Sequence, residues 1–346
     1  MDGNGSRPTI YDVARLAGVS AKTVSRVVNS ENSVREETRE RVRRAITMLG
    51  FQPHPLASAL RRGRTLGIVG LVIQDLHNPF YLALAGTIET TLRNQSFTLM
   101  VASASENAVL ERTLVDAFLR RGISGLIVAA APGGDHSYLT GAMENGVGVV
   151  FVDRAPIGLS ADWVTIDNER GGYLATQYLI QQGHQRIMAI GGPGDAEPIQ
   201  ARVRGYQRAL RESNEPDDPT LIELEAPDAE SAASAVRHLM QTEPAPTAVF
   251  TLNNRSCLGA VAELVRRPEQ IAVATFGAPE GAELFQIPVA RVRYDAVALA
   301  ETAAQYLLER IDGSREASRQ SVIPVSMEPL GSAEEGQQPI LQSEAP

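Results

Sequence analysis

A single cysteine, Cys257, excludes an intramolecular disulfide and with it any requirement for an oxidising compartment. It stands in the apolar stretch SCLGAVAEL, where a cysteine packs as a small hydrophobe more often than it reacts. Histidine is also scarce: the 5 histidines are scattered and lack the spacing of a zinc site. No Walker loop and no G-x-S-x-G elbow occurs. The run GGPG at 191–194 starts like a dinucleotide fingerprint, but no third glycine follows at the required distance. It reads more simply as a strand-to-helix turn. With no metal, no cofactor and no acid–base constellation to point to, the chain reads as something other than an enzyme. Nor is there a run of about 18 apolar residues that could span a membrane. The opening residues, MDGNGSRPT, lack the apolar core of a secretory signal. A cytoplasmic protein is the expectation.

Basic charge is scarce overall, and the net charge of −9 would argue against a nucleic-acid partner. Its distribution reverses that inference. Residues 1–65 hold 12 Lys and Arg against 6 Asp and Glu, a balance of +6, which leaves −15 for the rest. A basic front on an acidic body attracts phosphates at one end only.

What is present at that end is a helix, a tight turn and a second helix in TIYDVARLAGVSAKTVSRVVN, residues 9–29. Thr9 is a candidate N-cap with Asp12 three residues on. Ile10, Val13, Ala14 and Ala17 share one helical face, and Gly18 supplies the positive φ that ends the helix. Ser20 caps the second helix, whose Val24, Val27 and Val28 face the first. Ala21, Lys22, Ser25, Arg26 and Asn29 are left outward. Ser33 is the expected cap of a third helix with Val42, Ala45, Ile46 and Leu49 as its buried stripe. Small, basic and amide side chains on an exposed helix suit the major groove. A plain three-helix bundle with a solvated basic face would have the same pattern.

YDVARLAGVSAKTVSRVVN, followed by TRERVRRAI, LGFQPHPLASALRRGRT and LGIVGLVIQDLHNPFY, resembles the LacI/GalR family of bacterial transcription repressors in order and spacing, from about Thr9 to Met327. The resemblance implies an all-α helix-turn-helix head (1–53), a hinge helix or linker (54–65), a two-lobed body (66–330) and a disordered tail (331–346). It implies a homodimer on a pseudo-palindromic operator in double-stranded DNA, nucleoid-associated when bound and modulated by a small-molecule effector such as a sugar. Lys22 and Arg26 are then the expected base or phosphate contacts, with Ala21 against a base edge. Tyr11, Thr23, Ser25, Asn29 and Ser33 are expected at phosphates or neighbouring bases. In FQPHPLASALRRGR, Pro53 and Pro55 end the third helix and allow a short new one. The family's minor-groove leucine falls on Leu60. By itself the segment could equally be an ordinary linker.

Beyond residue 66, apolar strand-like runs alternate with helical stretches, the pattern of buried parallel sheets in βαβ units. The runs lie at 66–73, 97–103, 125–131, 147–153, 186–192, 221–226, 247–253, 271–277 and 289–295. A change-over near Val164–Asn168 predicts two doubly wound lobes, an α/β body. The resemblance makes this the periplasmic-binding-protein type I fold, with further crossings near Tyr294 and Met327. Ligands in such sheets bind beyond the strands' carboxyl ends. Asp75, Asn78, Phe80, Asp153, Arg154, Asn253 and Asn254 stand there, and Arg202 lies in ARVRGYQRAL. Polar groups around an aromatic face suit a polyhydroxylated ligand. The family match makes Phe80 a stacking face and Asp153, Arg202 and Asn253 hydroxyl-binding positions, with Asp75 and Arg154 beside them. Strand-end Asp and Asn also serve as plain helix caps. Two departures stand out: Gly277 and Ala278 replace a usual pair of aspartates, and Asn254 replaces another. A solute-binding protein and a nucleotide-dependent α/β enzyme are the rival readings.

Overall fold

The structure is a computed structural model that describes residues 8–28, 34–51 and 67–330. The chain divides into two compact units at Leu66–Gly67. The hinge and tail segments, with Asn29, Ser33 and Leu60, lie outside the described residues.

The first unit is all helical: α1 (Ile10–Ala17), α2 (Ala21–Val28) and α3 (Glu36–Leu49). The Thr9 N–H and hydroxyl both donate to the Asp12 carboxylate, at 2.9 and 2.6 Å, which fixes the start of α1. Gly18 closes it at φ 65°, a left-handed conformation that glycine adopts without strain. The Thr23 N–H donates to Ser20 Oγ at 3.1 Å, so Ser20 caps α2 as expected. Val13, Ala14, Ala17, Val24, Val27, Val42 and Ala45 form the shared core. The third helix starts later than the sequence suggested. Arg35, not Ser33, holds its N-cap position and makes no side-chain cap bond. Glu36 and Glu37 complement the helix dipole in its place.

The second unit alternates strands and helices. β1 (Ile68–Ile73), α4 (Pro79–Asn94), β2 (Thr98–Ser103), α5 (Ala108–Leu119), β3 (Gly125–Val128), α6 (Thr140–Glu144), β4 (Gly148–Val152) and β5 (Asp162–Ile166) build most of the first lobe. The second takes α7 (Asn168–Gln181), β6 (Ile187–Ile190), α8 (Glu197–Glu212), β7 (Ile222–Glu223), α9 (Ala229–Leu239), β8 (Ala248–Thr251), α10 (Asn254–Leu264), β9 (Ala272–Phe276) and β10 (Val289–Tyr294). Then α11 (Ala296–Ile311) and β11 (Gln320–Ile323) return to the first lobe, and β12 (Val325–Leu330) ends in the second. The sheet orders are β11-β5-β4-β3-β1-β2 and β12-β10-β9-β8-β6-β7. Every pairing is parallel except β10 with β12. All nine expected strand runs carry strands. β5, β11 and β12 add three that the runs did not include.

The chain crosses between lobes after Ile166, after Tyr294 and at Pro324. The last crossing precedes its expected place, because Met327 already pairs with Val292 inside the second sheet. Pro324 has no N–H to give a ladder, which breaks one strand into two. In the second lobe α7 and α8 lie in near backbone contact. A Cβ on Gly172 would strike the Arg202 carbonyl, and one on Gly205 would strike that of Glu169. That approach places Arg202 beside Asn168.

Asp162 pins the returning segment to β5. Fully buried, it accepts from Arg310 Nε and Nη2 at 2.9 and 2.7 Å and from the Arg319 N–H and Nη2 at 2.8 and 3.0 Å. Burial works to raise its pKa, but the hydrogen bonds from the two arginines outweigh that and hold the carboxyl below the usual range. Asp162→Ala would leave Arg310 without its carboxylate partner, Arg319 keeping Glu309, and should cost about 3–5 kcal/mol in urea unfolding. In the parent protein this contribution is complete above the unfolded carboxyl pKa of about 3.9 and is lost as pH falls through the lower folded value. An acid unfolding midpoint unchanged by the substitution would contradict the assignment.

Candidate nucleic-acid interface and interlobe cavity

In the head, burial of Val24 and Val27 turns the opposite face of α2 outward. Lys22 is exposed there, with Ala21, Thr23, Ser25 and Arg26 half-buried around it. Thr23 Oγ1 lies 2.9 Å from Ser20 Oγ, so the cap also orients this hydroxyl. Tyr11 is 70% exposed in the first turn of α1, a large unburied ring in a unit with a small core. Lys22 is the only lysine in the chain. A cationic, small-residue helix face of this kind can meet phosphates and base edges.

In the body, the six residues expected at a ligand all line one cavity of about 250 Å³ between the lobes: Asp75, Phe80, Asp153, Arg154, Arg202 and Asn253. Strand ends deliver Asp75, Asp153 and Asn253. The helix α4 delivers Phe80, its N-cap Asn78 accepting from the Phe80 N–H at 3.0 Å. Asp153 sits at φ 69°, unusual for a residue with a side chain. Its carboxylate accepts from the Tyr81 hydroxyl at 2.9 Å. Burial first, then the Asp153 charge, pushes the Tyr81 phenol well up, so it remains a donor. Arg154 donates to both oxygens of Glu106, at 2.5 and 2.9 Å, and to the Ala130 carbonyl at 3.0 Å. Burial opposes its charge, but Tyr81, Glu106 and Asp153 offset that and hold the guanidinium above the ordinary arginine range.

Behind this wall a buried polar chain sets the loops. Gln74 Oε1 accepts from the Glu106 N–H at 2.8 Å. Glu111 accepts from the Ala131 N–H at 2.6 Å and from His136 Nε2 at 3.1 Å. His136 Nδ1 accepts from the Ile157 N–H at 3.1 Å, which leaves the proton on Nε2. Each of these bonds fixes a loop that carries or flanks Glu106 or Arg154.

The second lobe contributes a different chemistry. Arg202 is 8% exposed and lies over the Phe276 ring, its Cζ 3.6 Å from the centroid. Nε donates to Asn168 Oδ1 at 2.9 Å and Nη1 to the Leu252 carbonyl at 2.6 Å. Burial lowers its pKa to about 10. Asn253 spends its side chain as the cap of α10, accepting from the Ser256 N–H at 2.8 Å and donating to the Gly192 carbonyl at 3.0 Å. Two hydrogen bonds join the walls, Arg255 Nη1 to Asp75 Oδ2 at 2.6 Å and Asn254 Nδ2 to Asn78 Oδ1 at 3.5 Å, and the Phe80 and Tyr294 rings meet edge-on at 6.0 Å. Gly277 stands at φ 68°, where a Cβ would lie 3.0 Å from the Tyr294 hydroxyl. The Tyr294 ring therefore occupies space beside the position where the resemblance led one to expect a carboxylate. Tyr81, Glu106, Asn168, Arg255, Phe276 and Tyr294 were not singled out from sequence. Tyr81 adjoins Phe80, and Asn168 and Tyr294 sit at crossings; only position could have flagged them.

Two family models match the chain. One, described as bacterial regulatory proteins of the lacI family, covers residues 9–54. The other, described as periplasmic binding proteins and sugar binding domain of LacI family, covers residues 67–329. The HTH-type transcriptional repressor PurR of Vibrio atlanticus (strain LGP32) is 31% identical over 307 residues, spanning 88% of this chain and 92% of that protein. The solved complex of the transcriptional regulator CelR with cellobiose is 30% identical at a TM-score of 0.68, over 93% of this chain and 98% of that one. The lac repressor dimer bound to operator and the anti-inducer ONPF gives 25% identity and a TM-score of 0.77, over 93% and 98%.

A lone lysine makes the head testable by chemistry. Acylation of side-chain amines should modify Lys22 and abolish duplex binding, and a bound duplex should protect the residue, as read by mass spectrometry and gel shift. Full duplex affinity after complete acylation of Lys22 would remove it from the interface.

Proposed function

The chain belongs to the LacI family of bacterial regulatory proteins and is a DNA-binding transcriptional repressor with an effector-binding body, and we propose how its residues carry out the two tasks. Lys22 and Arg26 read base edges or phosphates from a major groove, with Ala21 packed on a base edge. Tyr11, Thr23 and Ser25 hold the phosphates on either side. Asn29, Ser33 and Leu60 belong to the same proposal on sequence grounds alone, Leu60 as a minor-groove wedge. Two copies of the chain bind a pseudo-palindromic operator, as the lac repressor dimer binds its operator. The work is done in the cytoplasm, on the nucleoid when the operator is held, and involves no catalysis.

The effector occupies the interlobe cavity. The single observation that carries this reading is that both lobes line one 250 Å³ space and touch across it through Arg255–Asp75 and Asn254–Asn78. A ligand seated on both walls changes the free energy of one lobe arrangement relative to another. It moves DNA affinity only by its differential affinity for the two arrangements. Genomic footprinting of the purified protein, with candidate ligands titrated against the recovered site, tests the whole reading. Asp153→Asn keeps the shape of the side chain and removes its charge. The ligand concentration that gives half-maximal change in operator binding should rise at least about tenfold, roughly 1.4 kcal/mol. An unchanged midpoint takes Asp153 out of the site.

A further inference from the structure

The charges of the cavity are unevenly divided between its walls. The charged side chains lining the first-lobe side are Asp75, Glu106, Asp153 and Arg154; those lining the second are Arg202 and Arg255, with no acid among the described residues. Five of these six groups stand in ion pairs, Asp153 through Arg154 Nε at 3.6 Å. Arg154 holds Glu106, and Arg255 holds Asp75. Arg202 makes no ion pair among the described residues. Its Nε and Nη1 are committed to neutral acceptors, while Nη2 has no hydrogen-bond partner among them. A guanidinium that is more than nine-tenths buried and stacked on a phenyl ring is costly when the acid whose charge supports it most, Asp153, is also engaged by Arg154 and Tyr81. The positions where the resemblance leads one to expect carboxylates hold Asn254, Gly277 and Ala278, and only Asn254 reaches the cavity.

Two further features favour negative charge on that wall. The first turns of α8 and α10 line the cavity through Pro198, Ile199, Asn254 and Arg255, which brings the positive ends of two helices to it. The opposite wall offers acceptors and a hydroxyl donor, Asp153 and Tyr81, suited to ligand hydroxyl groups. At about 250 Å³ the cavity falls below the roughly 300–1,000 Å³ of drug-sized sites, so the occupant is a single small ring or short chain.

Building on the effector reading, we propose that the ligand is a monosaccharide-sized hydroxy acid carrying one negative charge, its carboxylate on Arg202 Nη2 and its hydroxyls on Asp153 and Tyr81. One guanidinium edge without a hydrogen-bond partner among the described residues receives one carboxylate. A phosphate dianion would call for more free donors than this wall supplies.

The test uses the full-length protein and charge-matched pairs: glucuronate with glucose, galacturonate with galactose, gluconate with glucitol, plus glucose 6-phosphate and 2-keto-3-deoxygluconate. Thermal shift and isothermal titration should find at least one carboxylate that binds at least 100-fold tighter than its neutral counterpart and changes operator binding. Arg202→Gln should collapse that ratio to within a few-fold. The wild-type pair comparison stands even if that variant folds poorly. A neutral sugar binding as well as its acid, a preference for the phosphate, or no binding by any acid of the set overturns the proposal. If a neutral sugar alone releases the operator, the repressor reading survives and only the anionic ligand falls. If no duplex is bound under any condition, the repressor reading falls as well.

Discussion

Parallel strands buried on both faces have only their ends in which to carry polar chemistry, and that constraint organises the body. Both sheets run their carboxyl ends toward one cleft, so the residues just past β1, β4 and β8 and the last residue of β9 meet there although they are far apart in sequence. The apolar runs make the sheets. The interruptions between them make the cavity.

The head solves a different problem. Its core is seven small residues, too little to fix much by packing alone, and local bonds at Thr9, Gly18 and Ser20 set the geometry. Those bonds turn Lys22 outward rather than toward the core. Charge follows the same division: a cationic surface needs little burial, whereas the acidic body buries Arg154 and Arg202 against specific acceptors.

This difference decides what could be read from the sequence. The helices α1 and α2 were legible because their caps and periodicity act within four residues. Nine strands were legible as continuous apolar runs. β5 was not, because polar Asp162 and Thr165 leave DWVTI without a continuous apolar run. β11 and β12 were not, because edge strands with polar residues resemble loops. The start of α3 was misplaced because Ser33 is a better cap by type than Arg35, yet the backbone enters the helix two residues later. In the cavity, strand-end position found Asp75, Phe80, Asp153, Arg154 and Asn253, and the family match gave Arg202 its place beside them. What the sequence could not show was partnership. That Arg255 reaches Asp75, that Glu106 takes Arg154 and that Asn253 is consumed as a cap are facts of three dimensions. The one edge of Arg202 without a hydrogen-bond partner among the described residues is the remainder left by those pairings.

The one-residue joint at Pro324 has a mechanical consequence. β11 and β12 belong to different lobes, and the residue between them has its φ locked by its ring. Such a link cannot lengthen, and it can turn almost solely through ψ. At that edge the sheets are tethered at fixed distance, so relative motion there is a swivel about a fulcrum, with the wider excursion at the opposite edges of the two sheets, at β2 and β7.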